Sequence, residues 1–213
     1  MKRLAALSLV AVLTTACGGP AETPPPCPAG APSAEQAADV IGDVRSVEVT
    51  TNKGTFAIEL ASDAAPIAVA NFVALARCGF YDGISFHRII AGFVAQAGDP
   101  QTKQNRGDFA GLGTGGPGYR FVIEPPAEGL TYDPYVVAMA NAGGTDTNGS
   151  QFFINLTDLD DRLDRLYTII GRVTAGTEVI DEIGRVPTNG PRGVPLDPVI
   201  IERMTVQVPE AEE

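Results

Sequence analysis

From residue 46 to 207 the chain is a succession of short apolar or alternating runs, almost every one cut off by glycine or proline. That punctuation argues against a helical bundle, because both residues break helices and favour turns. The chain carries 24 Gly and 17 Pro among 213 residues, and its 44% hydrophobic content can still fill a core. "SVEVTT" (46–51) alternates with the period of a strand, "NKG" (52–54) turns, and "TFAIEL" (55–60) returns. "SFHRII" (85–90), the Ala91-Gly92 turn and "FVAQAG" (93–98) repeat that pattern. Further strands are predicted at "YRFVIE" (119–124), "YVVAMA" (135–140), "QFFINL" (151–156), "YTIIGRV" (167–173) and "PVIIERMTVQV" (198–208). Two helices are predicted. "SDAAPIAVANFVALARCG" (62–79) has Pro66 in its first turn and Gly79 as its stop, and "GTEVIDEIGR" (176–185) puts Val179, Ile180 and Ile183 on one face. The pattern predicts a mainly β domain, a closed barrel or a sandwich, with helices covering its ends.

The segments outside residues 46–207 read differently. "MKRLAALSLVAVLTTAC" has Lys2 and Arg3, an apolar run from Leu4 to Leu13, then small residues. The run is too short to span a bilayer as a helix and fits a signal peptide over residues 1–16. "LTTAC" resembles a bacterial lipobox, which implies cleavage before Cys17 and a lipid on that cysteine. Ordinary secretion with cleavage nearby is the alternative. Residues 17–45, rich in Pro, Ala and Gly, read as a lipid-anchored tether, and residues 208–213 as an acidic, solvated tail. The expected location is extracytoplasmic, on a bacterial cell membrane. Cys27 and Cys78 form an even pair in an exported chain and are a candidate disulfide.

Several chemistries are poorly supplied. A formal net charge of -11 argues against nucleic acid, whose phosphates need clustered Lys and Arg. "GTGGPG" (113–118) lacks the Lys-Ser/Thr of a phosphate loop and its strand-to-helix setting. One histidine and no CxxC spacing offer little to a metal, so none is expected. Hydrolysis would need a nucleophile on a sharp elbow, and there is no GxSxG. Ser150 with His87 is the remaining hydrolytic combination, and nothing in the spacing specifies it. No cofactor is expected.

The segment "FHRIIAGFVAQ" is richer. Period-two alternation sets His87 and Arg88 on opposite sides of a strand, and Phe93, Gln96, Gln151 and Phe153 add rings and amides. This segment, with "NKGTFAIEL", "APIAVANFVAL", "GTGGPGYRF", "VVAMANAG", "TNGSQFFI" and "YTIIGRV" in that order, resembles the cyclophilin family of peptidyl-prolyl isomerases over about residues 46–207. The resemblance implies a closed eight-stranded antiparallel β-barrel capped by two α-helices, with the groove on one outer face. It implies that Arg88 is catalytic. Phe93, Val94, Phe153 and Leu163 would floor or wall a proline pocket, with Tyr167 at its rim. Gln96 and Gln151 would steady Arg88 and the substrate backbone, and Ala140, Asn141 and Ala142 would line the peptide groove. The implied partners are proline-containing polypeptides, without covalent intermediate. A monomer is expected, and His87 is expected to be structural, its imidazole satisfied by a backbone group. The chain departs from the family in having no Trp, often found near Leu163, and in carrying Tyr167 where a His is common. A binding module that holds proline peptides with little turnover is the rival reading.

Overall fold

The computed structural model describes residues 23–104 and 112–209. Alternation dominates the result. Strands β1 (Ser46–Thr51) and β2 (Gly54–Leu60) form the first hairpin, with Val47, Val49, Phe56 and Ile58 turned inward. Then come β3 (Ser85–Phe86), β4 (Arg88–Ile90), β5 (Val94–Ala97), β6 (Val136–Met139), β7 (Phe152–Asn155) and β8 (Ile169–Ala175). A small hairpin of β9 (Thr188–Asn189) and β10 (Val194–Pro195), which no sequence pattern announced, precedes the closing β11 (Val199–Gln207). Nine of these strands form one antiparallel sheet in the order β3-β11-β1-β2-β8-β6-β7-β5-β4.

The ends of that sheet explain the barrel. β3 and β4 belong to the single predicted run "SFHRII", interrupted at His87. The first half pairs with β11 and the second with β5, so the sheet returns on itself. Counted as one broken strand, they reduce nine segments to the expected eight. The His87 N–H donates to Gln96 O at 3.1 Å, and the Ile89 N–H to Gly193 O at 2.7 Å, so the chain stays bonded where it changes partner. Inside, Phe72, Tyr81 and Phe86 each meet the buried Phe152 ring edge-on, and Phe72 and Tyr81 meet each other tilted.

Helix α2 (Pro66–Arg77) closes one end and buries Val69, Phe72, Val73 and Leu75. Pro66 opens it, and Gly79 beyond its end takes φ +71°, where a Cβ would be strained. Its first residue is preceded by Ala65, which offers no side-chain cap. Glu124 supplies one instead: its two carboxylate oxygens accept from the Ile67 N–H (3.1 Å) and the Ala68 N–H (2.8 Å). This corrects the strand expected at "YRFVIE". Only the bridge between Phe121 and Asn148 forms there. Tyr119 donates to Asn71, the Glu124 N–H donates to Thr168, and Pro125-Pro126 cannot donate to a ladder.

Helix α3 (Thr177–Gly184) buries Val179, Ile180 and Ile183 as expected. A third helix was not expected. α1 (Ala34–Ile41) lies within the stretch read as tether, opened by a capping box between Ser33 and Gln36. It buries Ala37 and Ile41 against α2, and Val44 follows into the core. Arg77 donates to the carbonyls of Val40 and Ile41. A disulfide joins Cys27 to Cys78, with Cα atoms 5.1 Å apart. The packed body therefore reaches back well before residue 46. Cys17 and the segment read as a signal peptide lie outside the described residues. No helix among those described is long and apolar enough to cross a membrane.

Candidate active site

The β4–β5–β7–β6 ladder sets the site by register. Arg88 stands opposite Gln96, Gln96 opposite Phe153, and Phe153 opposite Ala138, so one row of side chains crosses four strands on the outer face. Their neighbours Ile89, Ala95, Phe152, Ile154 and Val137 turn into the core. Residues two apart share a face, which brings Val94 beside Gln96 and Gln151 beside Phe153.

Three hydrogen bonds link the polar members. Arg88 Nη1 donates to Gln96 Oε1 at 3.3 Å, Gln96 Nε2 to Gln151 Oε1 at 3.0 Å, and Gln151 Nε2 to Gly115 O at 2.8 Å. Each amide thus accepts at one end and donates at the other, which fixes its orientation. One guanidinium edge is held, leaving the other N–H groups for a ligand. Arg88 is half-buried; desolvation lowers its pKa from the ordinary arginine value and Tyr167 opposes that shift. Its Cζ lies 5.6 Å from the Phe93 ring centroid. The far anchor, Gly115, is held by the buried carboxylate of Asp99, which accepts from the N–H groups of Gln101, Gly113 and Gly115.

The apolar candidates gather in one cluster outside the barrel core. Val94, Phe153 and Ile169 are buried in it, and Phe93, Ala140, Leu163 and Tyr167 pack against it. Phe153 and Tyr167 meet edge to face at 5.4 Å. Tyr132, which the sequence reading missed, anchors the 158–167 segment here: its hydroxyl donates one bifurcated bond, to Tyr167 O at 2.9 Å and Asp164 O at 3.3 Å, and accepts from the Tyr167 N–H at 3.1 Å. Beside the cluster runs a groove of about 420 Å³, lined by Gln96, Gln151, Ala140, Asn141, Ala142 and the 113–116 turn. The Asn141 side chain is occupied, donating to Leu166 O and accepting from the Gly143 N–H, so what it offers the groove is backbone.

His87 is placed otherwise. It is 5% exposed and its ring lies against Gly113. Neither ring nitrogen has a hydrogen-bond partner among the described residues, so the backbone group expected to satisfy it is absent there. Desolvation is the main cause that brings its pKa down to about 4, with Asp99 opposing and Arg88 reinforcing the shift. Ser150 Oγ donates to Gly98 O at 2.7 Å and not to His87, so the two form no nucleophile–base pair. The groups that meet at the groove are a cation, two amides and rings.

Residues 46–206 match the family model for cyclophilin type peptidyl-prolyl cis-trans isomerases/CLD. A peptidyl-prolyl cis-trans isomerase of Helicobacter pylori is 46% identical over 137 residues, covering 63% of this chain and 77% of the relative. Peptidyl-prolyl cis-trans isomerase A of Mycobacterium tuberculosis is 42% identical over 174 residues, covering 73% of this chain and 88% of the relative. A crystal structure of a Cryptosporidium parvum cyclophilin type isomerase superposes with a TM-score of 0.68 at 32% identity, over 78% of this chain and 99% of the other. A second structure of that protein, in the presence of the dipeptide Ala-Pro, gives 0.67 at 34% identity, over 76% and 98%.

Proposed function

Because the chain belongs to the cyclophilin type peptidyl-prolyl cis-trans isomerase family and is a peptidyl-prolyl cis-trans isomerase, we propose that Arg88 is its catalytic residue, acting on X-Pro bonds of exported polypeptides. The observation that carries the proposal is the row from Arg88 through Gln96 and Gln151 to Gly115, set beside a cluster with two half-exposed rings, Phe93 and Tyr167.

Rotation about an X-Pro bond breaks no covalent bond. Its barrier, about 18–20 kcal/mol for a peptide bond, comes from lost amide resonance. In the twisted state the proline nitrogen regains a lone pair and accepts a hydrogen bond that the planar amide does not. A fixed Arg88 N–H therefore binds the transition state in preference to the substrate. Unaided exchange takes tens to hundreds of seconds, so a turnover of about 10 s⁻¹ asks for roughly 4 kcal/mol. One hydrogen bond to a charged group contributes about 1.5–3 kcal/mol. A prolyl ring held over Phe93, Val94 and Phe153, with Leu163 and Tyr167 beside it, accounts for the remainder by fixing orientation. Ala140, Asn141 and Ala142 hold the flanking peptide.

The decisive measurement is cis/trans exchange on a short proline peptide. Arg88→Ala should lower turnover by one to two decades, following about 1.5–3 kcal/mol for the lost bond, and lower peptide binding less. Arg88→Lys should also be poor, because a point charge lacks the planar fork. A wild type that binds the peptide without accelerating exchange, or a fully active Arg88→Ala, would sink the mechanism.

The cellular setting belongs to the same proposal. The charged start, apolar run and "TTAC" support export with a lipid on Cys17 and anchoring outside the cytoplasm. Cys17→Ala should release the protein from the membrane fraction or leave its precursor unprocessed. An unmodified N-terminus elsewhere, found by mass spectrometry of the native protein, would refute the anchor.

A further inference from the structure

Phe93 carries two guanidinium groups. Arg88 Cζ lies 5.6 Å from its ring centroid and Arg162 Cζ lies 4.8 Å from it, both within reach of a cation–π contact. Arg162 is exposed, and its Nη1 donates to Gly92 O at 3.0 Å. The head group is thus fixed at the ring and at the β4–β5 turn, with further N–H groups left to face solvent. Asp158, Asp160, Asp161 and Asp164 surround Arg162 in sequence. None of the ion pairs among the described residues includes Arg162 or Arg88; Asp160 pairs with Arg165 instead. In a chain with a formal net charge of -11, the β4–β5 turn end of the site presents two cations without an ionic partner among the described residues.

The register places them relative to a substrate. Along β5 the chain runs from Gly92 and Phe93 at the turn to Gln96 and then to Asp99, which holds the 113–116 wall. A prolyl ring over Phe93 therefore lies next to Arg162, at the turn end. From these contacts we infer that Arg162 is a specificity-determining residue: with Arg88 it makes the β4–β5 turn end of the site, beside the Phe93 ring, a carboxylate-selecting subsite, so that this isomerase favours proline peptides bearing Asp or Glu adjacent to the proline. The inference rests on the isomerase reading above and names its substrate class.

The test compares four short proline peptides, with Glu or Gln immediately before or immediately after the proline, by NMR exchange at low ionic strength. At one of the two positions the Glu peptide should exceed its Gln partner about threefold to fivefold in kcat/KM, the order of one exposed ion pair. The effect should fall mainly in KM, since the carboxylate is present in ground and transition states alike. It should shrink in high salt. Arg162→Gln should bring the Glu/Gln ratio to about one, and Arg162→Lys should restore part of it. A wild-type ratio near one at both positions, or a ratio unchanged by Arg162→Gln in folded protein, overturns the preference while leaving isomerase activity in place. Failure to turn over any of the peptides overturns the catalytic reading and the preference together.

Discussion

Burial leaves the His87 imidazole neutral, with its pKa brought down to about 4 from the ordinary 6.5. Between those values the unfolded chain takes up a proton that the folded chain refuses. Stability is therefore fully present above about pH 6.5 and is lost as pH falls toward 4, by roughly 3 kcal/mol in total. Urea unfolding of wild type and His87→Gln from pH 7.5 to 4.5 should show the variant missing this part of the pH slope. The rate of proline isomerisation should show no step near pH 6.5. Equal slopes for the two proteins would mean that the ring is solvated in the native state. Arg88, one residue on, is half-exposed and bonded to Gln96, so neighbours across the β3–β4 break divide into a stability group and a site group.

Among the elements, α2 depends on a residue far from it in sequence. Its two uncapped N–H groups both go to Glu124, whose negative charge also meets the positive end of the helix dipole. Glu124→Ala should cost about 1–2 kcal/mol, and Glu124→Gln about half of that, since an amide keeps one acceptor without the charge. Thermal unfolding checks both. A Glu124→Ala protein as stable as wild type would mean that water caps the helix equally well. The same contact helps explain why "YRFVIE" is not a strand: the Tyr119 and Glu124 side chains are tied to α2, the Phe121 and Ile123 N–H groups go to the Asn148 and Thr145 carbonyls of a loop, and the Glu124 N–H goes to Thr168 rather than to a ladder.

At the scale of the molecule, the Cys27–Cys78 disulfide closes a loop across a sequence separation of 51, from the leading segment to the end of α2. In the chain-entropy view such a closure restricts the unfolded state by about 4 kcal/mol. Reduction, or the Cys27→Ser/Cys78→Ser double variant, should lower the unfolding temperature without abolishing isomerase activity, because neither cysteine lies in the Arg88 row or its apolar cluster. An unchanged unfolding temperature would show that α1 is held by packing and the Arg77 bonds alone.

The strands at 46–60, 94–97 and 199–207 and helix α2 were legible in the sequence by itself, because side-chain period, proline at a helix start and glycine at its end are signals confined to a few residues. Much of the candidate site was legible for the same reason: alternation along β4 and β5 puts Arg88, Val94 and Gln96 on the face away from Ile89 and Ala95. Motif order carried the family resemblance from that local pattern. Only the tertiary structure decided that one predicted strand breaks at His87 to close the barrel, and that α1 folds out of a stretch rich in Pro and Ala. It also decided that Glu124 caps a distant helix, that His87 is buried without a described partner, and that Arg162 lies over Phe93. Each of these joins residues brought together by ring closure and core packing. Such contacts have no local period to announce them, because their energy exists only once both partners are already in place.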